Sequence, residues 1–438
     1  MQSLLQQLKN LPKTGMITYA GESCAVSELI QKAAEIRHQN PQFYQGDIAL
    51  GYTHLAEFVT ALIAFDGWCS AIYLCPPNVA IPQGELIKWP LSGDAAMDDA
   101  TKKQPVFSSS EVVQTKWYMA TSGTTGEPKW YSHSFESLTA SSKYSEQLQS
   151  LCWALLYQPF RFAGLQVVLQ ALLSGADLVD AAENEPLAQI ALLKQNKTTA
   201  MSATPSLWRQ LLMTGQLGDL KLQYITLGGE IADQSVLDNL SRLFPKAKLR
   251  HIYASTETGV GLVVSDGLAG FPLTWLEDLS LAVALKVSDT QHLMVKPNFK
   301  VCQTLSAQTD PQGFVDTLDI VEIKELRVLF IGRATGTINV GGNKVYPEKV
   351  EQVLMQSANV SQAKVYPKKS ALMGELVVAD ITVVNTDDPQ QLKTQILVNC
   401  KKQLQRFEIP TKINIVNNIA HEPSGKLNRK LNRKQQHD

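Results

Sequence analysis

The strongest constraint on the fold is an alternation of short β-rich runs with helical periodicity, sustained from residue 15 to about residue 230. MITYA (16–20) precedes a helical pattern at 27–39, DIALGY (47–52) precedes one at 56–68, and SAIYLCPP follows at 70–77. The rhythm resumes with helical patterns at 163–175 before ADLVD, at 186–196 before TTAMSAT, and at 206–215 before LQYITLGG. Such succession buries its apolar faces in layers, with crossover helices joining parallel strands. From about residue 281 the texture changes to short β-rich runs joined by turns, the mark of an antiparallel section. After Gly332 a strand, a helix, two strands, a helix and a strand follow within about a hundred residues, enough for a separate α+β lobe. The fold class is therefore α/β: a large N-terminal domain of layered mixed sheets with helices plus an antiparallel β section, and a small α+β C-terminal domain.

The 438 residues suffice for about three ordinary domains, or for one large core and a smaller lobe. With 44% hydrophobic and 18% charged residues the chain buries a large core. Forty Lys+Arg stand against 41 Asp+Glu, so no whole-chain field favours a polyanion, and nucleic acid is not an expected partner. Six cysteines, at 24, 69, 75, 152, 302 and 400, are scattered without a CxxC pair, which fits a reducing, cytoplasmic location. Cys69 and Cys75 lie in an apolar stretch with no His at ligand spacing and are expected in the core. The N-terminus lacks the apolar run and cleavage site of a signal peptide. The apolar stretches 48–77 and 162–179 are interrupted by His54, Glu57 and Asp66 and by Gln166, Gln170 and Asp177, so no membrane span is expected. LNRK occurs twice in the basic tail, and the second copy is expected to be solvated.

Tyr118-Met-Ala-Thr-Ser-Gly-Thr-Thr-Gly-Glu-Pro-Lys129 carries the most chemical information. It is expected between a strand and a helix beginning near Ser134. Gly123 and Gly126 let backbone N–H groups turn toward one anion; Thr121, Ser122, Thr124 and Thr125 add hydroxyl donors, and Lys129 a point charge. The pattern suits phosphate. It is not a Walker A loop, because Glu127 and Pro128 separate Gly126 from the lysine. The alternative is a surface loop with no ligand, against which the remaining segments argue.

Those segments are LGGE (227–230), YASTETG (253–259), GFVDTLD (313–319), GRATGTINVGGNKVYPEKVE (332–351) and PSGK (423–426). With the first loop, and in this order, they resemble the adenylate-forming ANL superfamily, which contains acyl- and aryl-CoA synthetases, luciferases and the adenylation domains of peptide synthetases. The resemblance covers nearly the whole chain. It implies an adenylation core over residues 1–334 and a mobile C-terminal lid over 335–438 that carries a catalytic lysine. It further implies ATP and Mg²⁺: Glu257 resembles the Mg²⁺-holding carboxylate, Thr256 the hydroxyl on the α-phosphate, and Tyr253 the ring against adenine. Gly228, Gly229 and Glu230 match another nucleotide-site motif. Asp319 resembles the carboxylate that accepts the ribose hydroxyls, with Arg333 nearby, and Lys426 the lysine that bridges the reacting carboxylate and the α-phosphate. Thr335 falls at the hinge, after which the lobe presents the GGNK segment (341–344) to a pantetheine tunnel. Leu318 replaces the usual glycine before Asp319, a costly exchange if the position requires positive φ.

Arg161 stands where CoA ligases of the superfamily often have His, and is either a partner for a carboxylate or structural. Phe162, Ala203, Leu227, Ala254 and Gly259, with Val260 and Gly261, match regions that line acyl pockets, and their apolar character suits an aryl or medium acyl group. The implied activity is an AMP-forming acid:thiol ligase that converts a small carboxylic acid to an acyl-adenylate and then to a thioester with CoA. Because only 120 residues precede the Thr121–Lys129 loop, the phosphopantetheine of an acyl carrier protein is an alternative acceptor. A nucleotide-binding regulator without catalysis is a third reading, motivated by Leu318, Thr335 and Arg161.

Overall fold

The computed structural model describes residues 2–77, 79–82, 84, 86–90, 112–121, 129–142, 144–182, 185–255, 259–278, 280–281, 283–297, 309–357, 359–370, 372–384, 388–420 and 427. Eight strands form the largest sheet, in the order Gly259–Val264, Lys248–Ser255, Tyr224–Gly228, Ala200–Ala203, Cys152–Leu155, Asp177–Asp180, Met16–Tyr19 and Glu22–Ala25. Its interior pairs are parallel and its two edge pairs antiparallel. A second sheet runs Ile87–Trp89, Asp47–Leu50, Ala71–Leu74, Lys116–Thr121, Lys129–Ser134.

One apolar cluster joins the facing sides of these sheets, drawing Trp153, Leu155 and Tyr224 from the first and Ile48, Leu74 and Trp117 from the second. The helices Leu55–Phe65 and Phe162–Ser174 belong to the same cluster. Every residue of Leu55–Phe65 except Glu57 is buried, as expected of a helix that is apolar all round. A second cluster covers the other face of the large sheet and takes in Trp208, Leu211, Leu237 and Leu240 from the helices Pro205–Met213 and Gln234–Leu243. The large domain is thus layered, with helices between and outside its sheets.

The antiparallel section closes a third sheet, ordered Phe271–Pro272, Arg327–Arg333, Val315–Lys324, His292–Pro297, Val283–Val287. After Arg333 a short turn, Ala334–Gly336, leads to a fourth sheet, whose long hairpin pairs Val360–Ser370 with Gly374–Val383. The helices Pro347–Met355 and Pro389–Gln403 pack on it around Val350, Leu354, Ile396 and Cys400. This C-terminal lobe touches the core closely at Gly332, where an added Cβ would stand 2.6 Å from Glu348 Oε2 and 3.0 Å from Tyr346 Cβ.

Two local outcomes differ from the sequence expectation. Lys129–Ser134 is a strand antiparallel to Lys116–Thr121, and the helix expected near Ser134 begins after it, at Phe135. The reason is a period of two: Tyr131 and His133 are buried while Trp130, Ser132 and Ser134 are less so. The N-terminal segment, which has no helical period long enough to predict one, forms a helix, Leu4–Lys9, closed by a Ser3–Gln6 capping box, with Leu4, Leu5 and Leu8 in the core. Cys69 and Cys75 are buried free thiols, as expected. No helix among the described residues is long and apolar enough to cross a membrane.

Candidate active site

Several of the motif segments lie at the ends of strands. Thr121 pairs directly with Lys129 across the antiparallel hairpin, so these two residues close the base of the seven-residue connection between the strands. Thr121 Oγ1 donates to Lys129 O at 3.5 Å. Ser122, Gly123, Thr124, Thr125 and Gly126 lie outside the described residues. The start of the helix Phe162–Ser174 meets this base: Arg161 occupies its N-cap and Nη1 donates to Ala120 O at 3.1 Å. Phe162 lies 5.9 Å, ring to ring, from the buried His133.

A second hairpin, at the edge of the large sheet, is closed by the pair Ser255 and Gly259, with Gly259 at φ 77°. Thr256 and Glu257 lie between them and outside the described residues, as does Lys426. Tyr253, just before this closure, points its hydroxyl at Asp319 and donates to Oδ2 at 2.5 Å. Its ring stacks on Phe330 at 5.0 Å with 18° between planes. Burial, then the Asp319 charge, pushes the Tyr253 hydroxyl well above its ordinary range, so it stays protonated and can donate.

Asp319 is held from the other side by Arg333, directly opposite on the antiparallel partner strand, with Nε 3.1 Å from Oδ1. Arg333 Nη2 also donates to Thr317 O at 3.1 Å. Each carboxylate oxygen thus has at least one strong donor, and the two together fix the direction of the group. The turn before it is tightly specified. Leu318 N donates to Asp316 Oδ1 at 2.8 Å, Thr317 Oγ1 donates to Leu293 O at 2.7 Å, and Asp319 N donates to Thr317 Oγ1 at 3.2 Å. Leu318 sits at φ 60°, the positive value at which a leucine is costly.

At the third motif, Gly229 turns the chain at φ 82°, and Gly228 O accepts from the Tyr157 hydroxyl at 3.5 Å. Glu230 accepts Ser206 N on Oε2 at 3.0 Å and Leu427 N on Oε1 at 2.9 Å. Strand alternation separates the expected pocket residues into two sets. Ala203 and Leu227, 0% and 1% exposed, are register partners in the cluster on the far face of the sheet. Their neighbours Ser202, Thr226 and Gly228 take the opposite face, toward Tyr157. Ala254 lies on the strand beside Gly228, half-buried. Tyr157, Phe330 and His133 were not singled out in the sequence; their roles come from contacts between elements distant in the chain.

Thr335 lies in the Ala334–Gly336 turn between the two lobes. Among the described residues no group of three His, Cys, Asp or Glu could hold a metal ion. A Mg²⁺ carried largely by substrate phosphates and water requires only one or two carboxylates, and the residue expected to supply one, Glu257, is not described.

With this geometry in place, comparison with known proteins defines the class. Residues 83–295 match the model of the AMP-binding enzyme family and residues 349–426 that of the AMP-binding enzyme C-terminal domain. The chain belongs to this family, within the adenylate-forming ANL superfamily. A putative long chain fatty acid-CoA ligase of Staphylococcus epidermidis is 25% identical over 319 residues, covering 71% of this chain and 69% of the relative. A 2-succinylbenzoate-CoA ligase of Listeria innocua is 26% identical over 343 residues, covering 73% and 70%. The crystal structure of an anthranilate CoA ligase in complex with anthranoyl-AMP superposes with a TM-score of 0.75 at 15% identity, covering 97% of this chain and 95% of that one. The o-succinylbenzoate CoA synthetase of Bacillus subtilis, in complex with its acyl-adenylate, gives 0.70 at 18% identity, covering 100% and 99%.

Proposed function

We propose that this protein joins a small carboxylic acid, of aryl or medium acyl type, to the thiol of CoA in two steps at one site. The observation that carries this reading is Asp319, a carboxylate fixed by Arg333 and Tyr253 beside the hairpin that bears Thr256 and Glu257. Two adjacent ribose hydroxyls are natural donors to such a group. With the ribose on Asp319 and adenine beside Tyr253, the triphosphate would extend toward the Thr121–Lys129 hairpin, where Lys129 and the hydroxyls of 121–125 offset its charge. A substrate carboxylate oxygen then attacks the α-phosphorus, the bond to the β-phosphate oxygen breaks, and pyrophosphate leaves. Thr256 and Lys426 are assigned to the α-phosphate, and Glu257 to the Mg²⁺ that supplies counter-charge when bound. In the second step the thiol loses its proton, sulfur attacks the acyl carbon, and AMP departs.

The family membership and the CoA ligases among its relatives support acid activation with CoA as acceptor. Pyrophosphate release with a panel of aryl, short, medium and long acids, each with and without CoA, tests the reading. Release that depends on one acid class and is accelerated by CoA is the expected result. A stoichiometric burst indifferent to CoA would move the acceptor to a carrier protein. ATP binding with no release for any acid would favour the regulator. Lys426→Ala is expected to depress adenylation by at least about a hundredfold relative to thioester formation from supplied acyl-adenylate. Equal loss of both steps would remove Lys426 from its assigned role.

A further inference from the structure

The contact between Leu427 and Glu230 joins residues 197 apart in the chain and belongs to a charged group at the junction of the lobes. Glu230 does not stand alone there. Its other oxygen receives Ser206 N, in the first turn of the helix Pro205–Met213, which fixes the direction of the carboxylate. One turn further along that helix, Arg209 pairs with Asp233, and both side chains are largely buried, 13% and 14% exposed. Asp233 in turn caps the helix Gln234–Leu243 by accepting Val236 N. Burial draws the Arg209 guanidinium down to about 10, and it is held charged by Glu230 and by Glu351. Glu351 comes from the other lobe, on the helix Pro347–Met355, where it is 4% exposed and accepts Val365 N at 2.8 Å. The helix bearing Arg209 also packs against the strand Val360–Ser370 of that lobe.

We infer that Glu230 is a positioning residue: it fixes the C-terminal lobe on the core by accepting the Leu427 N–H. The inference rests on the proposed function, because Leu427 is one peptide bond from Lys426. Consecutive Cα atoms are about 3.8 Å apart, so anchoring Leu427 limits the reach of its neighbour. A carboxylate suits the task. It accepts one backbone donor from each lobe in charge-assisted bonds, whereas an amide offers a single acceptor oxygen for the two. Withdrawal of the lobe would break the Leu427 bond, while Arg209 keeps its pairing with Asp233 within the core. The Leu427 bond therefore biases the lobe toward its docked orientation.

The test uses Glu230→Ala, Leu427→Pro and the double variant in the full chain, assaying adenylation and thioester formation from supplied acyl-adenylate separately. Leu427→Pro deletes the donor and leaves the Glu230 bond to Ser206 untouched. Each single variant is expected to lower adenylation at least about tenfold relative to thioester formation, the scale of one lost hydrogen bond to a charged group. The double variant should be no worse than the poorer single, because the Leu427–Glu230 bond is already lost in each. Glu230→Gln should recover part of the loss. Amide exchange in a peptide spanning Leu427 should quicken about tenfold or more in Glu230→Ala. A Glu230→Ala effect equal on both half-reactions, with Leu427→Pro silent, would reduce Glu230 to a support for the helix Pro205–Met213. A rise in ATP Kd with unchanged exchange at Leu427 would overturn the inference in favour of nucleotide contact. If the wild type adenylates no acid, the proposed function fails, while the exchange measurement still decides whether Glu230 holds Leu427.

Discussion

Leu318 concentrates the conflict between local preference and site geometry in one residue. A left-handed conformation costs a residue with a Cβ roughly 1–2 kcal/mol, and Leu318 adopts it at φ 60° while its side chain is 36% exposed. Asp316, Thr317 and Leu293 over-determine the turn, so the strain is retained one residue from the carboxylate assigned to ribose. Glycine would remove the steric cost but lose about 0.5–1 kcal/mol to backbone freedom. Leu318→Gly is therefore expected to raise the unfolding free energy by about 0.5–1 kcal/mol in urea titration; a loss of more than about 1 kcal/mol would show that the leucine's packing outweighs its strain. This feature was legible in the sequence because a bulky residue replaces glycine between two motif positions. The stacking of Tyr253 on Phe330 was not, because it joins a strand of the large sheet to one of the antiparallel sheet, 77 positions apart, with no local pattern linking them.

Among the elements, periodicity identified the long strands and helices, and failed where tertiary pairing decides. Lys129–Ser134 follows a loop whose composition suggests a strand-to-helix turn, yet the hairpin with Lys116–Thr121 prevails because it buries Tyr131 and His133. The helix Leu4–Lys9 is too short to announce itself by period and is secured from a distance by Asp66, which accepts Leu4 N at 2.7 Å and Trp117 Nε1 at 2.9 Å. These bonds and Arg37 favour the Asp66 anion, but burial outweighs them and lifts the carboxyl from 3.8 to about 6. The sign of the linkage follows. Below about pH 4 the group is protonated in both states, between about 4 and 6 only the folded state holds the proton, and above 6 the folded state must bury the charge. Asp66 should thus withdraw roughly 3 kcal/mol of stability as pH rises through that window. Asp66→Asn is expected to lower stability overall, since its amide nitrogen cannot accept either donor, but to flatten this part of the pH profile. An unchanged slope in the variant would assign the titration to other groups.

For the whole molecule, the relation between lobes is the least legible in the sequence and the most consequential for a two-step reaction. Motif order led to an expectation of one site drawn from several segments, whereas the bond from Leu427 to Glu230 and the close approach of Glu348 and Tyr346 to Gly332 exist only once the lobes are docked. The connection offers a way to hold this arrangement. Arg333 is extended, at φ −114° and ψ 141°, the conformation favoured before proline, and Ala334 opens the Ala334–Gly336 3₁₀ turn, where φ near −65° is ordinary. Ala334→Pro therefore suits the observed path. Thr335→Pro does not, because proline there would disfavour the helical conformation of Ala334 inside the turn. If rotation about this turn separates the half-reactions, Ala334→Pro should adenylate the acid at close to the native rate and slow thioester formation from supplied acyl-adenylate by at least about tenfold. Thr335→Pro should instead disturb the docked orientation and impair adenylation first. Native rates for both steps in Ala334→Pro would place the pivot elsewhere, whereas matched losses in the two variants would show that the turn maintains the docked lobe without governing the exchange between steps.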